Sequence, residues 1–128
     1  MRKLSALIPL GVLCFAIGLA RAADAALDMD LMQNVEDANK SLASNIALRD
    51  AGASAKDAEE LHTLFQTVEK HYLAKPEAPD GLALSRKSLQ LTEKIQQQVG
   101  AQDFGGASGS ATELSRTCRA CHTFYKQS

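Results

Sequence analysis

The chain has 128 residues, of which 45% are hydrophobic and 23% charged, and its formal net charge is −1. This length favours a single domain. The apolar fraction is too high for a disordered chain, and 8 glycines and 3 prolines are too few for a collagen-like or low-complexity one. The near-neutral charge gives no electrostatic reason to expect nucleic acid as a partner. Three cysteines, an odd number, fit poorly with a closed set of disulfides.

Residues 1–22 predict a secretory signal peptide. Arg2 and Lys3 make the start positive, residues 4–20 are uncharged and largely apolar, and Ala20-Arg21-Ala22 offers small residues around a cleavage site. The alternative is an uncleaved anchor, although the apolar run is at the lower limit for spanning a bilayer. We therefore expect export to the periplasm, no membrane contact after cleavage, and a mature domain of residues 23–128.

Cleavage would change both the charge and the cysteine count. The mature domain keeps 11 basic and all 15 acidic residues, so its formal net charge becomes −4. Cys14 is removed with the signal peptide, and a lipoprotein signal is disfavoured because Leu13, rather than a small residue, precedes it. The mature cysteines are then Cys118 and Cys121.

Apolar residues at alternating steps of three and four predict amphipathic helices in the first half of the mature domain. The first helix is expected over residues 27–49, with Gly52 as the stop that follows it. The second is expected to begin at a capping box that starts at Ser54. The predicted inward faces are Met32, Val35, Leu42 and Ile46, with Asn39 in phase, and then Ala58, Leu61, Phe65, Val68 and Tyr72.

The second half predicts two more helices. Prolines mark residues 75–81 as a linker, and a third helix follows over 82–99, with Leu84, Ser88, Leu91 and Ile95 inward and Gly100 as its stop. The glycine-rich stretch 104–110 resembles a loop by composition. Helical spacing nevertheless continues through it, so we expect the fourth helix to start at Asp103 as N-cap, with Ser110 as the alternative start. Its predicted stripe is Phe104, Ala107, Ala111, Leu114, Cys118, Cys121 and Tyr125.

No segment shows the sustained alternation of a β-strand, and short connections favour antiparallel neighbours. The expected fold is therefore an all-α, antiparallel four-helix bundle. We also recognise no motif typical of a catalytic acid–base pair or of an activated nucleophile, so we do not expect an enzyme.

One motif carries chemistry, Cys118-Arg119-Ala120-Cys121-His122. C-x-x-C-H is the attachment signature of a c-type haem. Cysteines three apart share a helix face, so both thiols can bond the two vinyl groups on one haem edge, and the adjacent histidine can serve as proximal ligand. A redox dithiol is expected near a βαβ pattern, a structural zinc needs four ligands, and a disulfide leaves His122 unexplained. We predict one haem c, held by Cys118 and Cys121.

The run from Cys118 to Lys126 resembles the end of the class II c-type cytochromes, the cytochrome c′ family. The resemblance is specific over Arg116–Lys126 and at Leu31-Met32, and the helix count extends it to the mature chain. It implies an exported four-helix bundle with the haem motif near the end of the last helix. Family members commonly have Arg four residues after the haem histidine, whereas this chain has Lys126, which keeps the charge but not the planar fork.

The same resemblance implies that the first helix supplies the residue on the distal side of the iron. Family members with a methionine there are six-coordinate electron carriers, and members with an apolar residue are five-coordinate and bind nitric oxide or carbon monoxide. Met32 is on the predicted inward stripe and is the candidate ligand, ahead of Met29. We expect a one-electron carrier, with a gas-binding protein that has an open distal site as the alternative.

The remaining polar residues receive more modest predictions. His62 and His71 flank the stripe of the second helix and are expected at the surface or satisfied at an interface. Asn39 is a candidate partner of a haem propionate or a facing backbone group. Tyr125 is expected to pack near the haem. Propionate pairing is a further option, less favoured than solvated surface, for Arg86, Lys87, Arg116 and Arg119. The expected partner is a redox protein with a basic docking surface, and the chain is a monomer or a homodimer.

Overall fold

The computed structural model describes residues 27–125, and every regular element among them is an α-helix. The helices are α1 (Met29–Ala47), α2 (Ala51–Leu73), α3 (Pro79–Gly100) and α4 (Phe104–Tyr125). For the residues that the structure describes, the prediction of an all-α fold with four helices is therefore confirmed. The predicted signal peptide and Lys126 lie outside the described residues.

Each helix packs against the next along the chain, and α1 also packs against α4. Cross-helix hydrogen bonds give the directions. His62 of α2 meets Thr92 of α3, and Glu69, further along α2, meets Arg86, which is earlier in α3. These two helices are therefore antiparallel. The short connections reverse the chain in the same way elsewhere, so one end of the molecule holds the starts of α1 and α3 and the ends of α2 and α4.

The buried face of the first two helices agrees with the predicted spacing. Val35, Leu42 and Ile46 of α1 are buried, and Ala38 adds to them. The α2 stripe is buried throughout and consists of Ala58, Leu61, Phe65, Val68 and Tyr72. These residues form one apolar core with side chains from the other two helices, namely Ile95, Val99, Ala107, Ala111 and Leu114.

The buried face of α3 differs from the prediction. Leu84 and Leu91 are only partly buried, and the core-facing residues are Gly81, Ser85, Ser88, Thr92, Ile95 and Val99. Burial of the hydroxyls on this face leaves none of them without a hydrogen bond. Each donates to a carbonyl of its own helix, as Ser88 Oγ does to Leu84 O at 3.0 Å. Ser88 and Ile95 are buried as predicted, whereas Gly81, Ser85 and Thr92 are small or polar and therefore do not stand out in the apolar spacing.

The turn between α1 and α2 also differs from the prediction. Gly52 does not follow the stop but lies in the first turn of α2. Arg49 makes the reversal with a positive φ of 57°, and Asp50 caps α2 by accepting a hydrogen bond from Ala53 N at 2.9 Å. Ser54 is not the cap. Asp50, four residues earlier, already caps the helix, so Ser54 lies inside α2 and is fully buried.

The last two helices start earlier than a loop-based interpretation would place them. α3 begins at Pro79, three residues before the prediction, because proline lacks the N–H that a first helical residue leaves unpaired. α4 begins at Phe104, and Asp103 Oδ1 accepts from Gly106 N at 2.9 Å, which confirms Asp103 as the capping residue. The alternative start at Ser110 is wrong, since this residue is buried within α4.

Candidate cofactor-attachment site

The C-x-x-C-H motif occupies the last turns of α4. Cys118 and Cys121 are free thiols on one face of the helix, and both are half-buried against the apolar core. His122, the next residue around the helix, is exposed. The helix therefore presents two thiols towards the protein interior and an accessible imidazole beside them.

Burial has a clear effect on both thiols. It raises the pKa of Cys118 to about 11, and it also raises the pKa of Cys121, with the nearby Tyr72 hydroxyl opposing the rise. Both groups are therefore protonated at neutral pH. Redox-active cysteines have a lowered pKa because the thiolate is the nucleophile. This environment does not favour a catalytic dithiol.

Met32 lies at the same end of the molecule, on α1. Its side chain is partly buried and packs against the core. The register between α1 and α4 is fixed where Asn39 Nδ2 donates to Ser115 Oγ at 3.0 Å. Met32 precedes Asn39 by seven residues and His122 follows Ser115 by seven, which is about 10 Å along each antiparallel helix. Met32 is therefore level with His122, whereas the other methionine, Met29, is 86% exposed.

Tyr72, at the end of α2, forms another part of the site. Its hydroxyl oxygen lies 3.9 Å from Cys121 Sγ, and its ring is buried. Apolar spacing predicts that Tyr72 lies in the core, but it does not predict the contact of Tyr72 with the motif. The predicted topology could have indicated this contact, because α2 and α4 of an antiparallel bundle end at the same end of the molecule.

Exposed apolar side chains are concentrated at this end of the molecule. Among the described residues, Met29, Leu73 and Phe124 are exposed here, and Leu48 is the one large exposed apolar residue at the opposite end. Two thiols on one face, an accessible imidazole and these apolar side chains are the groups that would hold a haem at this end. A porphyrin would add a large flat apolar surface where the chain itself has few aromatic residues.

The histidines and Asn39 are at helix interfaces. His62 Nδ1 lies 3.0 Å from Thr92 Oγ1. His71 is buried, with its ring edge-on to Tyr72 and the ring centroids 5.0 Å apart. Asn39 bonds Ser115, and its own Oδ1 is buried without a hydrogen-bond partner. Of the two environments predicted for His62 and His71, surface or helix interface, the interface is therefore the one observed.

The basic residues are at the surface, as expected. Arg86 pairs with Glu69 at 2.9 Å, and Glu113 pairs with Lys87 and, at 3.6 Å, with Arg116. The backbone of Tyr125 ends α4, but its predicted packing near the haem lies outside what the structure describes. Over residues 27–125, no three His, Cys, Asp or Glu side chains gather into a group that would hold a metal ion.

Within the same range, no helix is both long enough and apolar enough to cross a membrane. No protein-family model, curated protein or solved structure matches the chain.

Proposed function

We propose that this chain is a periplasmic, mono-haem c-type cytochrome of class II that carries single electrons and is not an enzyme. Cys118 and Cys121 hold haem c covalently, His122 is its proximal ligand, and the antiparallel four-helix bundle encloses it. The observation that carries this proposal is the placement of C-x-x-C-H at the end of α4, with Met32 of α1 level with His122.

Each residue has a separate task. The two cysteines fix the cofactor to one helix, so that the adjacent imidazole of His122 remains beside the metal. When bound, the haem iron supplies the one-electron couple. Met32 offers a thioether as distal ligand, which raises a reduction potential relative to a second imidazole. The half-buried position of both cysteines keeps the attachment points away from water, another factor that tunes potential.

The charge of the chain supports a basic redox partner. The mature domain has a formal net charge of −4, and the two haem propionates add negative charge. Exposed carboxylates lie on the outer faces of the first two helices, at Asp30, Glu36, Asp37, Glu59 and Glu60. A positively charged docking surface would be steered towards such a protein.

The distal ligand is tested by the absorption spectrum of the ferric protein. We expect a low-spin spectrum with the long-wavelength band of a methionine–iron bond. Met32→Ala should abolish that band, whereas the matched control Met29→Ala should retain it, because Met29 is exposed. A five-coordinate, high-spin wild-type spectrum that changes when carbon monoxide is added to the reduced protein would instead support the gas-binding alternative.

A further inference from the structure

Tyr72 touches the motif from α2. Its hydroxyl oxygen is 3.9 Å from the sulfur of Cys121, and its ring lies inside the core. As a thiol, Cys121 can donate or accept this weak hydrogen bond. A thioether sulfur has no proton, so after attachment the Tyr72 hydroxyl would be the donor. The contact therefore suits the attached state of the cysteine as well as the free one.

Gly81 of α3 is what allows the Tyr72 ring to lie there. A Cβ at position 81 would overlap three carbon atoms of the ring. Glycine inside a helix costs about 1 kcal/mol relative to alanine, so its presence in the first turn of α3 calls for a packing reason. The close approach of the Tyr72 ring supplies that reason. His71, edge-on to the same ring, restrains it from another side.

We propose that Tyr72 is a haem-positioning residue, held by Gly81 so that its hydroxyl donates to the sulfur of Cys121. This inference rests on the proposed function and extends it to residues outside the C-x-x-C-H motif. The Tyr72 ring forms one side of the attachment site, and its hydroxyl restrains the position of the Cys121 sulfur. A hydrogen bond to that sulfur withdraws electron density from the attached cofactor, which favours its reduced state and raises the reduction potential.

The test uses the matured, haem-loaded protein and three variants. Tyr72→Phe removes only the hydroxyl. Gly81→Ala keeps the Tyr72 hydroxyl group but displaces the ring that carries it. Gly109→Ala is the matched control, because Gly109 is also a helical glycine and a Cβ there would meet no atom within 4 Å. Circular dichroism in the Soret region, the midpoint potential and the haem content are measured for each protein.

We expect Tyr72→Phe and Gly81→Ala to shift the midpoint potential downward and to alter the Soret dichroism. Gly109→Ala should match the wild type in both measurements. Loss of haem from Tyr72→Phe with its helical dichroism retained would also support the proposal. If Gly81→Ala does not fold, Tyr72→Phe alone decides.

Wild-type potential and Soret dichroism in a haem-loaded Tyr72→Phe variant would overturn the role of Tyr72 and leave the proposed function standing. Absence of covalent haem from the wild type would overturn the proposed function itself. The two failures are therefore distinguishable.

Discussion

Ser54 shows how a single buried hydroxyl can act against stability. It is fully buried inside α2, and its Oγ has no hydrogen-bond partner. An unsatisfied buried polar group costs about 1–3 kcal/mol, and alanine is also the better helix former. We expect Ser54→Ala to increase the free energy of unfolding by about 1 kcal/mol, measured by urea denaturation.

The matched control for this prediction is Ser88→Ala on α3. Ser88 is also buried, but its Oγ donates to Leu84 O at 3.0 Å, so its replacement should give no comparable gain. A lower urea midpoint for Ser54→Ala than for the wild type would contradict the prediction.

Cys118 should be unreactive in the haem-free chain. With a pKa of about 11 instead of the ordinary 9.0, its thiolate population at neutral pH is lower by about 100-fold. Alkylation of Cys118 at neutral pH should be correspondingly slower in the folded chain than in denaturant, as followed by peptide mass spectrometry. Equal rates in the two states would show that the thiol is not desolvated.

The same raised pKa of Cys118 gives a pH dependence of stability. The folded chain holds the thiol proton more tightly than the unfolded chain, so this contribution to stability is complete below pH 9 and is lost as the pH rises towards 11. In the haem-free chain, the urea midpoint should therefore fall across this interval. The Cys118→Ala variant should show a smaller fall.

At the scale of a helix, the start of α4 depends on one carboxylate. Asp103 Oδ1 accepts from Gly106 N at 2.9 Å, ahead of a first turn that contains two glycines. Asp103→Ala should reduce the free energy of unfolding by about 0.5–2 kcal/mol. Asp103→Asn should keep most of the stabilisation that the cap provides, because asparagine is also a good N-cap residue. Denaturant titration of both variants checks this. Equal loss in the two would show that capping is not the cause.

The helices also show what sequence can and cannot reveal about this fold. Their number and the inward faces of α1 and α2 follow from apolar spacing, because large apolar residues line those faces. On α3, Ser88 and Ile95 are buried as predicted, but Ser85 and Thr92 were not predicted to face inward, because they satisfy their hydroxyls within the helix and pack as small residues. The turn at Arg49 escaped it because a non-glycine residue adopts the positive φ.

At the scale of the whole molecule, the site combines local and distant information. The C-x-x-C-H motif is local and visible in the sequence. Two other features depend on the packing register of separate helices. They are the contact of Tyr72 with Cys121 and the position of Met32 at the same height in the bundle as His122. A residue such as Asn39, which sets that register, shows its partner Ser115 only once the helices are packed.

The net charge leads to a prediction for electron transfer. If the predicted signal peptide is removed, the formal net charge becomes −4, and under the proposed function association with a basic redox protein should be assisted electrostatically. The bimolecular rate constant, measured by stopped-flow absorption, should fall as salt is added. An acidic partner should show the opposite trend. A rate constant independent of salt for both partners would contradict the proposed docking by charge.

If Cys118 and Cys121 carry one covalent haem, the mass of the exported protein must include it. The full chain is expressed in a bacterial host that attaches c-type haem, and the periplasmic product is analysed intact and as peptides. We predict a chain that begins after residue 22, with one haem linked to both cysteines, and with one link lost in Cys118→Ala or Cys121→Ala. A periplasmic product with the mass of the polypeptide alone, its cysteines free or joined in a disulfide, would show that Cys118 and Cys121 do not carry a haem.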